Sequence, residues 1–167
     1  MPVFPVFVED WQHECCGEPF GVGDTVAWRL GLGHDPDGMW GWPDEMLVEL
    51  RPTGRRESGE QYIVTLASGL QVAVGRSAVT EGGVVRGTLT EDHHGVVPDE
   101  VRPVEGVVRR LRVVRQRKRR HDRSWTPVAG AVELRDVRTM PDAFESFDPE
   151  ARESWTELGA LADLEVA

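Results

Sequence analysis

The chain has 167 residues with 19 Lys or Arg, 29 Asp or Glu, a net charge of −10, and two cysteines, the adjacent Cys15 and Cys16. That length suits one domain with a real core and is short for two. No run approaches the roughly 20 apolar residues of a membrane helix, the opening Met1-Pro2-Val3-Phe4-Pro5-Val6 lacks the basic region and cleavage site of a secretory leader, and neighbouring Cα atoms about 3.8 Å apart are too close for an ordinary disulfide. A cytoplasmic location is expected, with the cysteines as thiols or metal ligands.

Taken in order, Val6 to Trp11 has the β-branched and aromatic content of a short strand that ends before Cys15. Gly21-Val22-Gly23-Asp24 reads as a tight turn feeding Thr25 to Leu30, whose alternation puts Val26, Trp28 and Leu30 on one face. Gly31 to Asp44 is dense in turn formers and predicts a loop. Its Trp40 and Trp42 are expected to cap an open end of a barrel, or to form an aromatic ligand platform. Glu45 to Leu50 reads as a strand or short helical turn, and Arg51 to Gly59 as an exposed loop. Tyr62 to Ala67 and Leu70 to Val74 form a hairpin about Ser68-Gly69, and Val84 to Thr90 is a further strand with Gly87 at a bulge or bend.

Glu91-Asp92-His93-His94-Gly95 opens a loop. The stretches just read carry a resemblance. Trp11-Gln12, Cys15-Cys16-Gly17, Pro19-Phe20, Val22-Gly23-Asp24, Val26 and Trp28, then Glu91 to Gly95 and Pro98, resemble a family of uncharacterised actinobacterial proteins over about residues 5 to 140. The resemblance implies a cytosolic bacterial protein and no catalytic activity.

Val104 to Val114 reads as a strand with Leu111 and Val113 inward, Arg110 and Arg112 outward, and a bulge at Val114. Gln116 to Arg123 is charged enough to be a mobile loop or strand extension, and Ala131 to Arg138 is a last alternating strand. Beyond Pro141, Asp148-Pro149 is a good helix start, and Ala151, Trp155, Leu158 and Ala162 fall at helical spacing over residues 149 to 164. The expected architecture is mostly β: a small, partly closed antiparallel barrel or curled sheet of six or seven strands over residues 1–140, with an acidic C-terminal helix or tail at 141–167.

Two constellations carry chemistry. Cys15 and Cys16 with His93 and His94 offer thiolate and imidazole ligands for zinc, with His13 in reserve, although the spacing is not that of a zinc finger and adjacent side chains tend to point apart. The same histidines, flanked by Glu91, Asp92 and Asp99, suit a general base or a Cys–His nucleophilic pair. Simple burial of the thiols and loop hydrogen bonding by the histidines is the plainer reading. Arg109 to Arg123 sums to +8, which leaves −18 on the rest of the chain. Arg110, Arg112, Arg115, Arg117, Lys118, Arg119 and Arg120, with Trp125 as a stacking surface, suit a nucleic-acid backbone or an acidic protein partner, or pair with the chain's own acidic tail. The favoured function is a non-enzymatic binding or interaction module. The alternatives are a small metal-assisted or thiol-dependent hydrolase at the Cys/His loops and a nucleic-acid-binding β-barrel.

Overall fold

The computed structural model describes residues 1–35, 38–80 and 82–167. The strands are β1 (Val3–Glu9), β2 (Thr25–Trp28), β3 (Leu30–Gly33), β4 (Val48–Leu50), β5 (Gly54–Ser58), β6 (Gln61–Thr65), β7 (Gln71–Gly75), β8 (Val85–Glu91), β9 (Val104–His121), β10 (Ser124–Val137) and β11 (Glu153–Val166). Among the described residues there is one α-helix, α1 (Asp10–Cys16), which follows β1. The strands form one open sheet in the order β10-β9-β11-β1-β8-β3-β7-β6-β5, with β2 on β9 and β4 on β8. The mostly β reading stands, but the sheet has eleven strands where six or seven were expected. Nor is it purely antiparallel, because β1 runs parallel to β8 and β3 to β7.

The extra strands come from segments whose sequence conceals them. Gly54–Ser58 is polar because β5 is an exposed sheet edge, where charged residues discourage pairing with another chain. The hairpin of β6 and β7 is as predicted, with Tyr62 opposite Val74 and Val64 opposite Val72. Its connection, however, is a three-residue loop instead of the two-residue Ser68-Gly69 turn expected, closed by the Leu66 N–H donating to the Leu70 carbonyl, with Gly69 at φ +85°. Pro36 and Asp37 of the expected 31–44 loop lie outside the described residues.

The largest correction is at the C-terminus. Residues 153–166 are not a helix but the strand β11, paired with β9 on one side and β1 on the other. Ala160, Ala162 and Leu164 enter the main core with Val6, Val8, Leu30, Leu89 and Leu111. Leu161 faces the other way into a smaller cluster with Phe7, Met46 and Val114. A central strand buried on both faces shows no clean two-residue period, so helical spacing appears by default. Asp148 makes a turn instead of a cap, its carboxylate accepting from the Glu150 N–H at 2.9 Å. Gly159, at φ +144°, lies so near the Val8 carbonyl that a Cβ there would collide with it.

The bulge expected at Val114 belongs to the opposite strand. Leu158 of β11 is the extra residue between the pairs Glu157–Arg115 and Gly159–Val114, and a second slip places Arg109 as the extra residue of β9. Arg112 is the other correction. It is 5% exposed rather than outward, and its guanidinium donates to Asp163 at 2.5 Å.

Candidate metal centre and its cleft

β1 ends in α1 rather than in a loop, and that single helical stretch arranges the site. Trp11 and Cys15, like Gln12 and Cys16, stand four residues apart and therefore share faces of the helix. The helix stops at Gly17, whose N–H donates to the His13 carbonyl at 2.9 Å and whose Cβ, if present, would lie 2.6 Å from His13 Nδ1. The facing loop follows β8. Its fold depends on buried Asp92, whose carboxylate accepts from the backbone N–H groups of His94 at 3.1 Å and Val97 at 2.8 Å. Gln12 is buried between the two segments and joins them through the His93 N–H and the His93 ring.

The two cysteines and one of the two histidines converge. Cys16 Sγ lies 3.2 Å from His94 Nε2, across 78 positions of sequence, and 3.3 Å from Cys15 Sγ. All three ligand atoms fall within 4.8 Å of one another, and all three residues are exposed. Adjacent cysteines thus point together here, because the helix ends at this pair. Such a group can hold a metal ion. A tetrahedral ion with metal–sulfur bonds of about 2.3 Å keeps its sulfurs roughly 3.8 Å apart, an opening of about half an ångström that exposed side chains can make. The His94 ring rests between those of Trp11 and His93, with centroids 4.8 and 4.5 Å away.

His93 stands apart from this group. Its Nδ1 is 2.8 Å from a buried Glu91 carboxylate oxygen, and its Nε2 donates to the Gln12 carbonyl at 3.1 Å. With both ring nitrogens engaged, His93 braces the loop against the helix. Burial raises the Glu91 carboxyl above the ordinary carboxylate range, and the His93 ring works against that rise. Burial likewise lowers His13, whose ring meets Phe20 and Phe144 edge-on. Behind the thiols lies a cleft of about 550 Å³ lined by His13, Cys16, Glu91, His93, Phe20 and Trp28 among others. Gln12 and Trp11 escape a sequence reading that ends β1 in a loop, because no local pattern marks the helix between Glu9 and Gly17 that brings them to the site.

A protein-family model spans residues 2–166. The chain belongs to DUF6578, a family of unknown function. No curated protein and no solved structure is significantly similar to it. The DUF6578 match runs through β11, beyond the 5–140 stretch on which the resemblance was read. Among the described residues no helix is long and apolar enough to cross a membrane.

The basic run of this DUF6578 chain is a strand extension, and its cations lie beside acids of the same sheet. Arg109 reaches Glu165 at 2.5 Å, Arg110 Asp136 at 2.7 Å, Arg115 Glu133 at 2.8 Å, and both Arg117 and Arg119 reach Glu153, at 3.7 and 2.7 Å. With Arg112 on Asp163, six of the nine cations have a carboxylate partner on β10 or β11. Arg120 donates to the backbone carbonyls of Asp122 and Pro149. Burial lowers the Lys118 ammonium, which sits 5.9 Å from the Trp40 ring. Trp125 packs against Phe147 of the tail, ring centroids 4.8 Å apart.

Proposed function

We propose that this chain is a binding module whose working end is the meeting of α1 with the loop after β8. There Cys15, Cys16 and His94 hold a thiophilic divalent ion, zinc first among the candidates. Three protein ligands leave a fourth position for a group from a partner, the pattern of exchangeable rather than closed structural sites. The observation that carries the reading is the 3.2 Å approach of Cys16 Sγ to His94 Nε2 across 78 positions of sequence. A protein partner is favoured over nucleic acid because most of the basic strand already faces carboxylates of its own sheet. Dialysis against zinc followed by elemental analysis tests the proposal. One equivalent retained by the native chain and lost in His94→Ala is expected; equal retention by both would overturn it.

The second reading is a metal-assisted or thiol hydrolase, favoured by the position of Cys16 on the wall of the cleft that also holds His13, Glu91 and His93. The metal-free thiol is poorly prepared for that work. The neighbouring Cys15 thiol pushes the Cys16 thiol above its ordinary value, which reduces the nucleophilic thiolate. A metal ion deprotonates coordinating thiols outright, so the same sulfurs suit metal binding better than attack on a substrate.

A further inference from the structure

On the face of the sheet opposite the main core, three neighbouring positions carry little bulk. Gly33 of β3 and Thr88 and Thr90 of β8 lie beside Phe7, whose ring packs on Trp42 at 5.9 Å. Over them runs the stretch that carries the two tryptophans, and between floor and roof is a cavity of about 320 Å³. The roof is tied down by its own backbone and by β9. Gln116 of β9 donates to the Trp40 carbonyl at 2.6 Å, Asp35 accepts from the Met39 and Trp40 N–H groups, and Gly41, at φ +60°, is pressed against the Gly130 backbone. The Trp40 and Trp42 rings stack with their planes 4° apart.

The lining has a definite chemistry. Trp40, Trp42 and Phe7 supply aromatic surface, while Glu9, Asp10 and Asp35 supply carboxylates. Among the described residues none of these three carboxylates makes an ion pair, in a chain where the acids of β10 and β11 mostly do. Burial, with Glu14 and Glu9 nearby, raises the Asp10 carboxyl, while the Trp11 N–H and the Lys118 ammonium work against that rise. Thr88 is 4% exposed and lines the cavity.

We propose that this cavity binds a small organic ammonium ion, with Trp40 and Trp42 against its apolar body and Glu9, Asp10 and Asp35 balancing its charge. Aromatic faces attract such cations through the ring quadrupole, most strongly where water is excluded. The volume lies at the small end of ligand pockets. The site does not depend on the metal reading, because Cys15, Cys16 and His94 are not among its walls.

Calorimetric titration of the full chain with choline and with its neutral isostere 3,3-dimethylbutan-1-ol tests this on the native protein. Saturable choline binding is expected, with the isostere weaker by roughly tenfold, the size of one partly desolvated cation–aromatic contact. Asp10→Asn should weaken choline several-fold, while Cys16→Ser should leave it unchanged. Equal binding of choline and its isostere, or no saturable binding of choline in the millimolar range, would overturn the proposal. The comparison of the two ligands on the native chain holds even if a variant fails to fold.

Discussion

Adjacent cysteines ordinarily face different surroundings, yet at the end of α1 the Cys15 and Cys16 sulfurs are 3.3 Å apart and share His94 as a neighbour. Because both thiols are exposed, Cys16→Ser should change folding stability by no more than about 0.5 kcal/mol while weakening zinc more than about 100-fold. Urea unfolding and competition with a chromophoric chelator measure the two effects, and a variant that binds zinc like the native chain contradicts the ligand assignment. The raised Cys16 thiol sets the direction of the pH dependence. Zinc must displace its proton, so apparent affinity should rise with pH, by about tenfold per unit for each proton released. A flat profile between about pH 6 and 8 would exclude thiolate ligation. The ligand types were legible in the sequence, but the division of labour between the histidines was not. His93 is withdrawn because its ring meets buried Glu91 and the Gln12 carbonyl, and neither burial nor the α1 turn that supplies Gln12 is written in the local residue pattern.

At the scale of strands, β9 and β11 show how charge can build a sheet instead of dissolving it. Cross-strand pairs of opposite charge stabilise neighbours on one face, so a run that reads as too charged to pack becomes an 18-residue strand once acids of β10 and β11 stand beside it. The member that matters most for stability is Arg112, buried against Asp163. Asp163→Ala leaves that guanidinium without its partner and should cost about 2–3 kcal/mol, below the figure for a fully buried pair because Asp163 keeps some solvent contact. The double variant Arg112→Met, Asp163→Leu should recover most of the loss in urea melts. If the double variant is as unstable as the single one, the unpaired charge is not the cause. The misread helix has the same origin: β11 is apolar on both faces where it crosses the centre, so its residues satisfy a helical spacing as readily as a strand one.

In the whole molecule, β11 lies between β9 and β1 and so connects the long basic strand to the strand that leads into α1. The family match reaching residue 166 agrees with a working unit that includes it. A chain ending at Arg152 should lose its cooperative unfolding transition, as followed by circular dichroism and calorimetry; a native-like transition would show that β9 and β1 hold together without it. The central claim is that this sheet brings two sulfurs and one imidazole nitrogen to a single ion. X-ray absorption fine structure of the zinc-loaded chain measures that directly. The account predicts a first shell containing two sulfurs at about 2.3 Å and one histidine nitrogen at about 2.0–2.1 Å. A shell of oxygen and nitrogen alone would contradict it.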